Sequence, residues 1–169
     1  ARVYTTDKVN FDTLIENGYL DENSNFSAIS ASSSIVFDIE TDQHRYIARF
    51  PRNEFFSKQI EKDVYVTQFL KENVNLNCPN ISLFYDNSRP FSVHKKIEGI
   101  DLSKRINSLT NKKIEEISYE IAKSLYKIHN TNIEKLPNIA KRSLSNFLRE
   151  LAKVDESIEY NYYLLEELE

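Results

Sequence analysis

Two neighbouring segments of the chain alternate apolar and polar residues with the period of a β-strand. The odd-numbered residues inside segment 34–40 are isoleucine, phenylalanine and isoleucine, and they share one face because successive side chains of a strand point to opposite sides. Residues 41–44 are polar, and residues 46–50 resume the apolar pattern around one arginine. The pattern predicts a β-hairpin with one well-buried face.

Longer segments repeat apolar residues at helical spacing instead. Segment 53–72 gathers them on one side of a helix, and Thr110 is a suitable N-cap for a second helix over 111–130. The apolar positions are Phe56, Ile60, Val64, Val66 and Leu70 in the first, and Ile114, Ile117, Ile121, Leu125 and Ile128 in the second. We expect the second stripe to belong to a core.

The remaining elements complete an α+β fold class. Three more strands are predicted at 25–30, 81–86 and 91–98. Two short helices are predicted at 7–17 and 101–108, and a late helical pattern runs from Leu144 to the end. We therefore expect a five-stranded antiparallel sheet with one long helix over residues 1–98 and a helical segment over residues 99–169.

Composition narrows the classes of function. The 169 residues are 40% hydrophobic and 28% charged, with a net charge of −4, which is typical of a globular protein. No apolar run approaches the roughly 18 residues that cross a bilayer. The scattered Lys and Arg give no basic stripe for nucleic acid. Cys78 is alone, so an internal disulfide is excluded and a cytoplasmic location is expected. No pattern indicates an oligomeric state.

Arg49 is the charged residue inside the second strand of the predicted hairpin, and a buried guanidinium there needs an anionic partner. Asp63 falls near the middle of the apolar arc of the following helix, whereas Glu61 lies off that arc. We expect Arg49 to pair with Asp63, with Glu61 as the alternative. The pair has a simpler interpretation, as a structural ion pair in an α+β scaffold. Arg52, just after Pro51, is expected to lie in solvent.

The turn before the hairpin, 30–34, contains four serines and no glycine. Small residues let a backbone approach a phosphate group, and amide N–H groups and Ser hydroxyls can donate hydrogen bonds to it. A serine-rich surface turn is the alternative interpretation.

Four segments resemble the aminoglycoside phosphotransferase family in their order and spacing. They are Tyr46-Ile-Ala-Arg-Phe-Pro-Arg52, Asn77-Cys-Pro-Asn-Ile-Ser-Leu-Phe-Tyr85, Phe91-Ser-Val-His-Lys-Lys-Ile-Glu-Gly-Ile-Asp-Leu102 and residues 114–130. The resemblance covers about residues 30–130. It implies a protein-kinase-like fold, of which this chain supplies the N-terminal lobe and the first helices of the C-terminal lobe.

The resemblance also implies a nucleotide site. In that family a third-strand Lys or Arg pairs with the α and β phosphates, and Arg49 is the matching residue. The loop before the second strand lies over the phosphates, and backbone groups after the fifth strand bind the base, with Ile47 as an apolar wall. The nucleotide-binding residues implied are Ser32, Ser33, Ser34, Ile47, Arg49, Asp63, His94, Lys95, Lys96 and Ile97.

A phosphotransferase of this fold also needs an aspartate that accepts the hydroxyl proton, and an Asp and an Asn that hold Mg²⁺. The chain has no His-x-Asp and no Asp-Phe-Gly. We therefore expect it to be the nucleotide-binding part of a longer enzyme, without catalytic residues or metal ligands of its own. That enzyme would transfer the γ-phosphate of ATP or GTP to a hydroxyl of a small molecule, a cationic antibiotic being one candidate. The alternative is a non-catalytic nucleotide-binding or interaction module.

Overall fold

The computed structural model describes residues 9–138 of the chain. Five strands run β1 Asn25–Ser30, β2 Ser34–Glu40, β3 Arg45–Pro51, β4 Ile81–Asp86 and β5 Arg89–Lys95. Three helices run α1 Asp12–Glu16, α2 Glu54–Val74 and α3 Asn111–His129, and short 3-10 turns occupy Leu102–Lys104 and Ile106–Ser108. The predicted α+β class and five-stranded sheet are confirmed. The helical pattern predicted from Leu144 onward lies outside the described residues.

Several element bounds differ from the sequence prediction: α2 ends at Val74 and not at residue 72, and the fifth strand begins at Arg89 and not at residue 91. The fifth strand ends at Lys95 and not at Glu98, the leading helix is limited to five residues, and segment 101–108 forms two separate 3-10 turns. Within residues 9–138, no helix combines the length and the apolarity that crossing a membrane requires.

The sheet is antiparallel throughout, in the order β1-β2-β3-β5-β4. Its best-buried side, called the core face, is built from directly opposed residues of β2 and β3: Ile35 with Phe50, Phe37 with Ala48, and Ile39 with Tyr46. Each of these side chains is at most 9% exposed. Leu14 of α1 and Leu20 pack on them. The N-terminal segment thus closes the core over this face.

The opposite side of the sheet, called the helix face, carries α2. This helix begins at Asn53, whose side-chain oxygen accepts a hydrogen bond from the Phe56 N–H at 3.0 Å, as an N-cap does. Ile60 and Val64 are buried, and α2 packs chiefly on β5, β3 and β4. Apolar residues of α2 thus cover the helix face over β5, β3 and β4.

The helix α3 is capped as predicted but is not part of a core among the described residues. The Thr110 hydroxyl accepts from the Lys113 N–H at 3.2 Å. No residue of α3 is buried, and Ile121 and Leu125 of its apolar stripe are about half exposed, at 50% and 47%. Helical periodicity shows which residues share a face, and among residues 9–138 that face is covered only in part, since Ile114, Ile117 and Ile128 are half-buried.

Candidate functional site

Arg49 occupies the middle of β3 on the helix face. The register places Val36 of β2 on one side of it and Ser92 of β5 on the other. Val36 and Ser92 are only 8% and 5% exposed, whereas Arg49 is exposed. A guanidinium thus lies accessible to solvent between two buried neighbours, on a rigid central strand.

Ile47 lies in the adjacent row of the same face. It is half-buried, with Asp38 of β2 and His94 of β5 as its direct cross-strand partners. Because residues two apart on a strand share a face, Ile47 and Arg49 point to the same side. An apolar side chain and a cation are therefore adjacent on the helix face.

The predicted pair of Arg49 with Asp63 is wrong. Asp63 is exposed, and its carboxylate accepts a hydrogen bond from the Gln59 side chain at 2.8 Å. Glu61, the alternative partner, instead accepts from the Tyr85 hydroxyl of β4 at 2.8 Å. Within residues 9–138, neither acid forms an ion pair with Arg49.

The error comes from the phase of α2. The apolar arc that places Asp63 at its middle includes Val66 and Leu70, and these two residues are only half-buried. The buried positions in the first half of the helix are Ser57, Ile60 and Val64. These rotate the contact side of α2 toward Glu61 and leave Asp63 facing water.

The contact between Tyr85 and Glu61 alters the acidity of the tyrosine. The hydrogen bond to the Glu61 carboxylate, helped by burial and by the negative charge of Glu61, raises the pKa of Tyr85 to about 12. The neutral phenol is favoured because it is the donor, and a phenolate would lie against another anion. This bond ties α2 to β4.

Acidic and basic groups also meet where β5 ends. The Asp38 carboxylate accepts from the Arg45 guanidinium at 3.1 Å and from the Lys96 ammonium. The Lys96 backbone N–H donates to the Arg45 carbonyl at 2.8 Å. The side chain and the backbone N–H of Lys96 are thus both held by the β2–β3 hairpin, which fixes the start of the predicted hinge.

The other hinge residues are less restrained. His94 Nδ1 lies 2.8 Å from the carbonyl oxygen of Lys95, Lys95 itself is exposed, and the side chain of Ile97 is 68% exposed. Within the described part of the chain, the Ile97 N–H makes no hydrogen bond. It is a backbone donor at this end of β5 that remains available to a ligand.

The serine loop between β1 and β2 is more buried than a surface turn would be. Ser32 is exposed, Ser33 is half-buried and Ser34 is buried. Arg52 does not lie free in solvent as expected: it is half-buried, and its Nε donates to the Ala31 carbonyl at 2.8 Å. Sequence reasoning missed this contact because it depends on where the end of β3 falls against the loop.

Residues 9–138 hold no group of His, Cys, Asp and Glu side chains arranged to bind a metal ion. Cys78 is a free, half-buried thiol. The candidate site brings together a cation, an apolar side chain, a serine loop and the end of β5.

The strand order, with one long helix between the third and fourth strands on one face, defines the class: this is the N-terminal lobe of a protein-kinase-like fold. The chain matches the family model described as "Phosphotransferase enzyme family" over residues 26–167. The chain belongs to that family. No curated protein matches it by sequence.

Solved structures with the same fold are aminoglycoside phosphotransferases. APH(2'')-Ib with bound ADP superposes with a TM-score of 0.58 at 20% identity, over 76% of this chain and 42% of that one. The gentamicin complex of APH(2")-IIa gives 0.63 at 17% identity, over 93% and 52%. The streptomycin and ATP ternary complex of APH(2")-IIa gives 0.53 at 20% identity, over 78% and 44%. The chain thus spans about half the length of these proteins.

The contact between Tyr85 and Glu61 gives a testable pH dependence. Replacing Tyr85 with Phe should lower the free energy of unfolding by about 0.5–1 kcal/mol at pH 7, because one partly exposed hydrogen bond is lost. The folded-state pKa is raised, so the bond contributes fully below the unfolded pKa of about 10. The difference between wild type and variant should then shrink as pH rises to about 12.

The measurement is denaturant unfolding of both proteins at neutral pH and at several values between 10 and 12. Tyr126→Phe is the matched control, since this tyrosine is 70% exposed, and it should leave the free energy of unfolding unchanged at pH 7. A stability difference that grew with pH for Tyr85→Phe would contradict the assigned contact.

Proposed function

We propose that the chain is the nucleotide-binding part of a small-molecule phosphotransferase that transfers the γ-phosphate of ATP or GTP to a substrate hydroxyl. In this proposal residues 1–98 form the nucleotide-binding lobe, and residues 99–169 begin the C-terminal lobe. Family membership supports the phosphotransferase class. Bound ADP and bound ATP in two of the similar structures support the choice of nucleotide.

The observation that carries the proposal is the environment of Arg49. Its guanidinium is exposed, while the Val36 and Ser92 side chains on either side are buried. The ladder on both sides fixes the backbone of Arg49 on a central strand, so only its side chain has to be ordered when it binds a phosphate. Arg also presents two parallel N–H donors, a geometry that matches phosphate oxygens. We assign Arg49 to the nucleotide phosphates.

The other binding elements fit a nucleotide placed along the helix face. Ile47 is a half-buried apolar side chain one row from Arg49, suited to one face of a purine. The hinge, His94 to Ile97, provides the available Ile97 N–H for the edge of the base. The loop residues Ser32, Ser33 and Ser34 provide hydroxyls and amide groups at the end of β2. Asp63 is not part of this proposal, since its carboxylate bonds Gln59 and faces water.

Catalytic chemistry requires groups that the described residues do not assemble. Phosphoryl transfer needs an acceptor for the hydroxyl proton and carboxylate ligands for Mg²⁺, and no metal-binding cluster exists within residues 9–138. We assign both to a further part of the protein, in keeping with neighbours about twice as long as this chain. The residues of this chain bind and orient the nucleotide.

We further propose that the substrate is a cationic aminoglycoside and that the enzyme acts in the cytoplasm. Streptomycin and gentamicin are bound in two of the similar structures. The net charge of −4 favours a cationic ligand electrostatically, and the lone Cys78 suits a reducing compartment.

Replacing Arg49 with Ala in the full-length protein should weaken nucleoside triphosphate binding about ten- to a hundredfold, because a charge-assisted contact of roughly 1.5–3 kcal/mol is lost. Binding of the corresponding nucleoside should change little, since it has no phosphate. Calorimetric titration with both ligands measures this. Lys58→Ala, which removes an exposed positive charge on α2, is the control for net charge and should bind both ligands as the wild type does. Equal losses for both ligands in Arg49→Ala would refute the assignment.

A separate experiment tests whether the 169-residue chain binds nucleotide without catalysing phosphoryl transfer. The full-length protein should phosphorylate an aminoglycoside with ATP or GTP in the presence of Mg²⁺, whereas the purified 169-residue chain should show no transfer above background. Formation of the nucleoside diphosphate together with the mass of the phosphorylated product measures the reaction. Metal-dependent transfer by the 169-residue chain would show that its own acids are catalytic, and an inactive full-length protein that binds nucleotide would favour a non-catalytic module.

A further inference from the structure

We propose that Arg52 is the positioning residue of the serine loop: it holds the loop carbonyl oxygens inward, so that the loop presents N–H groups and hydroxyls to a phosphate. This assignment rests on the nucleotide-binding function proposed above. It gives Arg52 a role distinct from that of Arg49, which is assigned to the phosphates themselves.

Two hydrogen bonds join Arg52 to the loop. The Arg52 Nε donates to the Ala31 carbonyl at 2.8 Å, and the Arg52 backbone N–H donates to the Ser33 carbonyl at 3.2 Å. A third bond, from the Ala31 N–H to the Ser34 carbonyl at 3.3 Å, closes the turn. Arg52, just after β3, is therefore hydrogen-bonded to two carbonyl oxygens of this short loop, those of Ala31 and Ser33.

Strand register explains why residue 52 reaches the loop. Ser34 and Pro51 are direct partners where β2 begins and β3 ends, so the residue after β3 falls opposite the loop that precedes β2. Pro51 is fully buried, and its ring restricts the backbone at that point. Arg52 thus leaves the strand from a fixed position. Its side chain bonds Ala31, which lies 21 positions earlier in the sequence.

The polarity of the loop follows from these bonds. A phosphate is repelled by carbonyl oxygens and attracted by amide N–H groups, and a concave run of such groups binds anions. Arg52 takes the carbonyl oxygens of Ala31 and Ser33. Within the described residues, the backbone N–H groups of Ser32 and Ser33 donate no hydrogen bond.

Three substitutions in the full-length protein separate position from charge. In Arg52→Gln, the amide nitrogen follows the same number of carbons as the arginine Nε, so the donor to Ala31 is kept and the charge is lost. Arg52→Met keeps the length and loses both. Arg52→Lys keeps the charge and loses the planar Nε–H. Each variant is titrated with a nucleoside triphosphate and with the nucleoside. Hydrogen exchange without ligand is followed at the Ala31 N–H, which donates to the Ser34 carbonyl.

We expect Arg52→Met to bind triphosphate about tenfold more weakly, to bind nucleoside within about twofold of wild type, and to exchange the Ala31 amide faster. Arg52→Gln should recover most of the triphosphate affinity and of the exchange protection. Unchanged triphosphate binding by Arg52→Met would overturn the proposal. So would full binding by Arg52→Lys with a loss in Arg52→Gln as large as that in Arg52→Met, because Arg52 would then act through its charge.

Equal losses for triphosphate and nucleoside would also overturn it, since they would indicate damage to the fold. Failure of the underlying function is recognised independently of Arg52: the wild-type protein would then bind triphosphate no better than nucleoside.

Discussion

The pairing of β2 with β3 is the constraint on which the rest of the structure depends. Its register places Phe50 and Ala48 on the core face, so Arg49 between them must point to the other side. A slip of one residue would drive the guanidinium into the apolar core and expose a phenylalanine. Aromatic contacts between the two strands, such as Phe37 edge-on to Phe50 with ring centroids 5.8 Å apart, stabilise this register. The core therefore determines where the candidate site lies.

The same hairpin organises both ends of the site. At one end Arg52 holds the serine loop through Ala31, and at the other the Arg45 carbonyl and Asp38 hold Lys96 where β5 ends. Between these ends lies Arg49. Loop and hinge are thus each tied to one rigid hairpin, and a ligand that spans them meets groups already in place. Preorganisation of this kind lowers the entropy that binding must offset.

The strands, α2 and the face of Arg49 could be predicted because the spacing of apolar residues, and the alternation of side chains along a strand, depend only on neighbouring residues. The Thr110 cap is local as well. The partner of Arg49 was mispredicted because helix phase was read from all apolar residues, although Val66 and Leu70 are only half-buried. The contacts of Arg52 with Ala31 and of Lys96 with Asp38 join residues 21 and 58 positions apart. They depend on strand register and order, which alternation alone does not reveal.

The central claim is that the helix face over β2 and β3 binds a nucleotide. Hydrogen exchange of the full-length protein with and without a non-hydrolysable nucleoside triphosphate tests it most directly. The account predicts added protection at residues 31–34, 47–49 and 94–97, with none at α1, which packs on the core face. Protection confined to α3 or to the segments around α1, with these three segments unchanged, would contradict it.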